Sequence, residues 1–266
     1  MRSPLHQGGV EIDKEWLGKW REYFLAHYDE ARVGDKVAEA AEFTRQYINE
    51  GLVSVSGGKD SMAMLHIITS RVKRNIHVFH WDHGPYLIPR EVEQEILENL
   101  FKVAPYAYIH IWKYRYGWSE KARTEWRPWY SEFFKTLEEL TRRLRARYHL
   151  LGVRADESSR REARGRVVER RSWIEVHPIY HFTWRDIWAY IFKHNVPVPR
   201  VYYAYAKLLG WDRVRLVTFF DREFEKYGST TLDSILMWRH RNLETSRETR
   251  LQATTPRTKE RGFQQQ

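Results

Sequence analysis

Ser56, Lys59, Asp60 and Ser61 surround the glycine pair Gly57-Gly58, between the β-like run Leu52-Val53-Ser54-Val55 and the helical pattern Met62-Ala63-Met64-Leu65-His66-Ile67-Ile68. Two adjacent glycines let a backbone turn sharply and bring its N–H groups close to a ligand. The first turn of the following helix adds unpaired N–H groups and the positive end of its dipole. Lys59 contributes a charge and the two serines contribute hydroxyls, so the junction is suited to binding an anion. It is not the G-x-x-x-x-G-K loop followed by Ser or Thr, because that pattern needs glycine at position 53 and Ser or Thr at position 60, where this chain has Val53 and Asp60. It is not a G-x-G-x-x-G turn either.

Other segments carry polar groups in patterns that ask for a role. Leu150-Leu151-Gly152-Val153-Arg154-Ala155-Asp156-Glu157-Ser158-Ser159-Arg160-Arg161 runs from a short apolar stretch into acids among arginines. That order suits a loop at a strand end that meets polyphosphate. His77, His80 and His83 recur at three-residue steps, but strand alternation puts His80 on the face opposite His77, which argues against a three-histidine metal site. Asp82 and His83 are expected as loop residues at the strand end, with His77 and His80 structural.

With these residues in view, Ser56-Gly57-Gly58-Lys59-Asp60-Ser61 resembles the S-G-G-x-D-S loop of the PP-loop ATP pyrophosphatase superfamily, whose members cleave ATP between the α and β phosphates. Gly152-Val153-Arg154 with Glu157-Ser158 and Arg161 resembles a stretch of its phosphoadenosine phosphosulfate (PAPS) reductase-like branch, which includes the small subunit of ATP sulfurylase. His177-Pro178-Ile179 and Thr183-Trp184-Arg185-Asp186-Ile187-Trp188 are similar to that branch's proline-containing strand end and its following helix. The similarity runs from about Leu52 to about Tyr203.

The resemblance implies roles. Ser56, Gly57, Gly58 and Ser61 would hold β and γ phosphates or leaving pyrophosphate, and Lys59 would neutralise charge there. Asp60 would either ligate Mg²⁺ or serve as a helix-start acid favoured by the dipole. Arg154, Arg160 and Arg161 would meet a second phosphate or sulfate through guanidinium forks that match tetrahedral oxyanions, and Gly152 would lie among the nucleotide-binding residues. Asp82 and His83 would lie near adenosine. In reductase relatives the corresponding loop has Thr where this chain has His83, which puts the acceptor in question. Eleven arginines lie between Arg142 and Arg171, several of them on a solvated helix face, and Arg154 carries the most weight.

Composition narrows the chemistry. The chain has 266 residues and no cysteine. It therefore cannot supply a thiol nucleophile, a disulfide or thiolate ligands for an iron–sulfur cluster. Thiol-dependent sulfonucleotide reduction by this polypeptide alone is excluded. The expected cofactors are ATP, or PAPS or APS in its place, with Mg²⁺ and no iron–sulfur cluster. A net charge of +10 favours anionic partners. No apolar run reaches membrane-spanning length and no signal-peptide core precedes the first helix, so a cytoplasmic location without membrane contact is expected.

The elements that must position these residues follow from periodicity. Residues 1–50 contain two helices, marked by Trp16, Trp20, Phe24 and Tyr28 and then by Val37, Ala41 and Ile48, and are expected to pack on the core. Residues 51–195 form a nucleotide-binding α/β unit: strands at Leu52–Val55, Ile76–Trp81, Tyr106–Ile111 and Tyr148–Leu151 alternate with helices at Asp60–Arg71, Pro89–Phe101, Trp126–Arg147 and Thr183–His194. The alternation predicts a doubly wound, mostly parallel, Rossmann-like sheet with ligands beyond the carboxyl ends of its strands, where Ser56, Asp82 and Arg154 emerge. Residues 196–241 are a helical extension with helices near Val201–Leu209, Asp221–Tyr227 and Leu232–Arg241, and 242–266 a flexible basic tail. Between Trp112 and Tyr130 seven aromatics interleave with five lysines or arginines, so nucleic-acid contact through 112–130 and the tail stays open. A partner subunit or homo-oligomer stays open too.

Two function classes remain. One is an ATP pyrophosphatase that transfers an adenylyl group to an acceptor. The other is a non-catalytic adenine-nucleotide-binding accessory protein that contacts nucleic acid or a protein partner.

Overall fold

A computed structural model describes residues 13–84, 88, 90–115 and 127–214. Helices α1 (Lys14–Glu30) and α2 (Val33–Arg45) precede β1 (Gly51–Ser54), and α3 (Lys59–Arg71), β2 (His77–Asp82), α4 (Arg90–Val103), β3 (Tyr108–Lys113), α5 (Arg127–Leu144) and β4 (Tyr148–Leu151) follow in alternation. Then come α6 (Ser159–Arg164), β5 (Val167–Glu169), β6 (Ile174–Val176), α7 (Trp184–His194) and α8 (Val201–Leu209). The expected helices at Asp221–Tyr227 and Leu232–Arg241, the tail 242–266 and residues 116–126 of the aromatic-basic segment lie outside the described residues.

The six strands are ordered β3-β2-β1-β4-β6-β5, all neighbours parallel except the β5–β6 pair. The mostly parallel doubly wound sheet expected from the alternation is therefore present. β1 is flanked by β2 on one side and β4 on the other, so the winding reverses between β1 and β4, which makes the carboxyl ends of these strands the switch point of the sheet. Leu52, Val53 and Leu150 are fully buried there, as strands covered on both faces require.

The ends of elements have local causes. Thr183 caps α7 by accepting from the Asp186 N–H (3.2 Å), and the Asp186 carboxylate accepts from the Thr183 N–H (2.8 Å), a reciprocal capping box. Helix α5 stops at Leu144, short of the expected Arg147, because Arg145 adopts the left-handed conformation (φ 53°) and the Ala146 N–H returns to the Thr141 carbonyl. Strand β3 starts two residues later than expected, after a turn in which the Ala107 N–H donates to the Ala104 carbonyl.

Helix α1 lies against α7. Its Phe24 is fully buried and stacks on Phe192 at 5.5 Å, while Trp16 stacks on Trp211 at 5.3 Å with the rings 8° from coplanar. The Asp186 carboxylate, buried at the start of α7, receives His27 (2.9 Å) and Lys36 (2.7 Å) from α1 and α2. Burial pushes its carboxyl up, but Lys36, the Thr183 amide and His27 outweigh this and hold it below the usual carboxylate range.

Candidate active site at the carboxyl edge of the sheet

The loop after β1 holds its shape through short-range bonds. The Gly58 N–H donates to Ser56 Oγ (3.3 Å), Ser61 Oγ donates to the Gly58 carbonyl (2.9 Å), and the two serine hydroxyls are 3.2 Å apart. Gly57 has φ +81°, and a side chain there would meet Ile96 of α4 at 2.3 Å, so both backbone angle and space demand glycine. Gly58 is the cap residue of α3, and among the described residues no protein acceptor takes the Asp60 N–H. The turn and the helix start thus hold the strand–turn–helix geometry expected of them.

Val55, just before the loop, is fixed from below. His80 Nδ1 donates to the Val55 carbonyl (2.8 Å) and His80 Nε2 donates to Glu93 Oε1 of α4 (2.8 Å). Both ring nitrogens face acceptors, which describes an imidazolium. Burial lowers the pKa of His80, yet Glu93 outweighs it and the net shift is upward. Glu93 shares the buried stripe of α4 with Ile96 and Leu100, so an acid at a core position was the available sequence signal for this pair.

At the head of α3 the charged groups converge. Asp60 accepts from Lys59 Nζ at 2.7 Å and from Arg154 Nε at 2.6 Å, one cation on each carboxylate oxygen. Arg154 Nη1 also pairs with Asp156, whose other oxygen accepts the Trp184 N–H (2.7 Å) at the start of α7. Glu157 accepts from the Arg154 N–H (3.1 Å) and from Arg161 Nη1 (2.7 Å). Lys59 and Arg154 are each 1% exposed. Three cations and three carboxylates thus form one linked cluster. Burial pushes the Asp60 carboxyl up, but Arg154 and then Lys59 more than offset this and hold it far below the usual range. Burial pulls Lys59 down.

This geometry changes the expected parts of several residues. Arg154 is not an open guanidinium fork; it is a buried brace between Asp60 and Asp156. Arg161 is tied to Glu157, and Arg160 is exposed on α6. Gly152 packs against the helix start: a Cβ there would lie 2.8 Å from both the Ser61 nitrogen and its Cα. Its part is the close approach of two backbones. Both Asp60 oxygens are engaged by cations, which does not fit a metal ion held by the protein alone, and among the described residues no three His, Asp or Glu side chains are grouped as metal ligands.

Asp82 and His83 form a separate group at the end of β2. Asp82 receives both guanidinium nitrogens of Arg90 (2.7 and 3.0 Å) and the Gly84 N–H (2.8 Å). His83 is buried, and burial, with His80 nearby, drives its pKa down to about 3. Sequence reasoning missed Tyr202. Its buried hydroxyl accepts the Lys59 N–H at 3.0 Å, and no local pattern announces a contact from α8 to the loop.

A family model for the phosphoadenosine phosphosulfate reductase domain matches residues 50–214, more than half of the chain. No curated protein matches it. Among solved structures, the chain is similar to a phosphoadenylyl-sulfate (PAPS) reductase from Candida auris in a phosphate complex, at 14% identity over 73% of this chain and 93% of that one, with a TM-score of 0.46. It is also similar to the FMN adenylyltransferase of Candida glabrata, at 14% identity over 69% of this chain and 66% of that one, TM-score 0.46. The U34-tRNA thiolase NcsA from Methanococcus maripaludis, with its 4Fe-4S cluster, matches at 12% identity over 86% of this chain and 80% of that one, TM-score 0.48.

Proposed function

The chain belongs to the phosphoadenosine phosphosulfate reductase domain family, and on that footing we propose that it binds ATP or a related adenine nucleotide, PAPS and APS included, at the Ser56–Ser61 turn. From ATP it cleaves the bond between the α and β phosphates and transfers the adenylyl group to an acceptor. The observation that carries this is the meeting of the glycine turn, the start of α3 and the Lys59–Asp60–Arg154 cluster at the point where the sheet reverses its winding.

In this scheme the amides of the turn and of the first helical turn receive the β and γ oxygens. The acceptor attacks the α-phosphorus, the bond to the bridging oxygen breaks, and pyrophosphate leaves with the negative charge that Lys59 compensates. Arg154 keeps Asp60 in place, and Asp60 orients Lys59. Catalysis is positioning and charge neutralisation. Magnesium enters as part of the nucleotide substrate. With no cysteine in the chain, no thiol of its own attacks sulfur.

A non-catalytic nucleotide-binding accessory role is favoured by one observation: Lys59, Arg154 and Arg161 are each paired with carboxylates inside the cluster. Pyrophosphate release from MgATP, measured with and without sulfate, flavin mononucleotide, transfer RNA and single-stranded DNA, separates the two. Acceptor-stimulated release that is lost in Lys59→Ala supports the adenylyl transferase. Nucleotide binding by calorimetry with no release under any acceptor supports the accessory role. Absence of adenine-nucleotide binding overturns both.

A further inference from the structure

We propose that the outer end of the sheet, on the face covered elsewhere by α5, is a stacking platform for single-stranded nucleic acid built by Tyr108, His110 and Trp112 of β3 with His77 of β2. This does not rest on the nucleotide reading of the Ser56–Ser61 turn. Strand β3 is the edge strand, and alternate residues along it share a face. Register pairs Tyr108 with His77, His110 with Phe79 and Trp112 with Trp81. On that face Phe133 of α5 covers Phe79 at 5.9 Å and Trp81 at 5.3 Å, whereas on β3 Tyr108 is 61% exposed and Trp112 42%.

The aromatic rings are already organised. His77 lies stacked on Tyr108 at 5.1 Å and on His110 at 5.3 Å, and the two imidazoles are joined through Nδ1 of His77 and Nε2 of His110 at 3.1 Å. Successive same-face residues of a strand stand about 6.6 Å apart, so the three β3 rings form a row along an open sheet surface. Bases stack on such rows regardless of sequence, since every base has a π-face.

The surrounding charge suits a polyanion. Among the described residues, the charged side chains that act on the two imidazoles, His77 itself aside, are Lys73 on His77 and Arg143 on His110, and no carboxylate is among them. A second copy of the chain docked by a two-fold axis on this face would bring those cations against their own counterparts. A phosphate backbone neutralises them.

The test is fluorescence anisotropy of the full chain with labelled oligo(U) and oligo(dT), over a series of salt concentrations. Tyr108→Ala/Trp112→Ala is expected to weaken binding by tenfold or more with unchanged thermal melting and unchanged adenine-nucleotide binding. Tyr108→Phe/Trp112→Phe is expected to stay within about threefold of the parent. Arg143→Gln is expected to flatten the salt dependence. Equal affinity of parent and double alanine variant would overturn the platform, as would preference for duplex over single strand. Sedimentation that shows a parent dimer and a monomeric double variant would assign the face to a second copy instead.

Discussion

The backbone N–H of Lys59, in the first turn of α3, donates to the hydroxyl of Tyr202, 143 residues further along the chain, at 3.0 Å. A protein oxygen thus already occupies one of the donors that the start of this helix would offer an anion. Tyr202→Phe removes that oxygen. The expected outcome is a stability loss of about 1 kcal/mol in urea titration, because a buried donor loses its acceptor. Calorimetry with ATP is expected to show severalfold tighter binding, since a phosphate oxygen then restores the missing bond. Weaker binding instead would mean that the hydroxyl itself contacts the nucleotide.

Asp60 joins Lys59 and Arg154, and neither cation has access to water. Asp60→Asn leaves two buried charges short of a partner and is expected to cost about 3 kcal/mol, the usual penalty for breaking a buried pair. Adding Arg154→Met to Asp60→Asn is expected to recover part of that loss. A double-mutant cycle by chemical denaturation measures the coupling, and additive losses would refute the brace.

Gly152→Ala is expected to lower stability by about 1–3 kcal/mol through overpacking, and to weaken nucleotide binding at the same time. The added methyl pushes on the Ser61 backbone, so the start of α3, proposed above to face the nucleotide, must move. Gly18→Ala is the control. Its Cβ enters open space in α1, and it is expected to stabilise by somewhat under 1 kcal/mol. Thermal melts together with calorimetry read both effects.

His149 supplies a pH-dependent term of defined sign. Thr141 donates its hydroxyl proton to the Leu137 carbonyl (2.6 Å) and so accepts from His149 Nε2 (2.7 Å), leaving Nδ1 buried without a hydrogen. Burial lowers the pKa to about 4. The folded state therefore resists a proton that the unfolded chain takes up near 6.5. This contribution is complete above 6.5 and is lost as pH falls toward 4, by up to roughly 3 kcal/mol at about 1.4 kcal/mol per pKa unit. His149→Gln keeps the donor to Thr141 and is expected to show a shallower loss of stability between those limits. Parallel stability–pH curves for the two proteins would exclude it.

What could be read from sequence was what depends on neighbours along the chain. The β1–turn–α3 junction and the alternation through β4 each rest on residues near one another along the chain. The β5–β6 pair was not anticipated, because three-residue strands such as Val167–Glu169 are too short for alternation to register between flanking arginines. The glycine at 152 and the brace at Arg154 were singled out, yet their parts as a backbone contact and as an ion-pair brace depend on α3 lying across from them. Tyr202 was invisible for the same reason.

The stack of Trp16 on Trp211 has a consequence for synthesis of the chain. Helix α1 is made well before the partner that completes its aromatic surroundings, since Trp211, with Trp188 and Phe192 beside it, is translated almost two hundred residues later. A helix made early thus completes its packing late. Trp16 fluorescence in stalled nascent chains of increasing length would reveal docking as a step once residue 211 has cleared the exit tunnel.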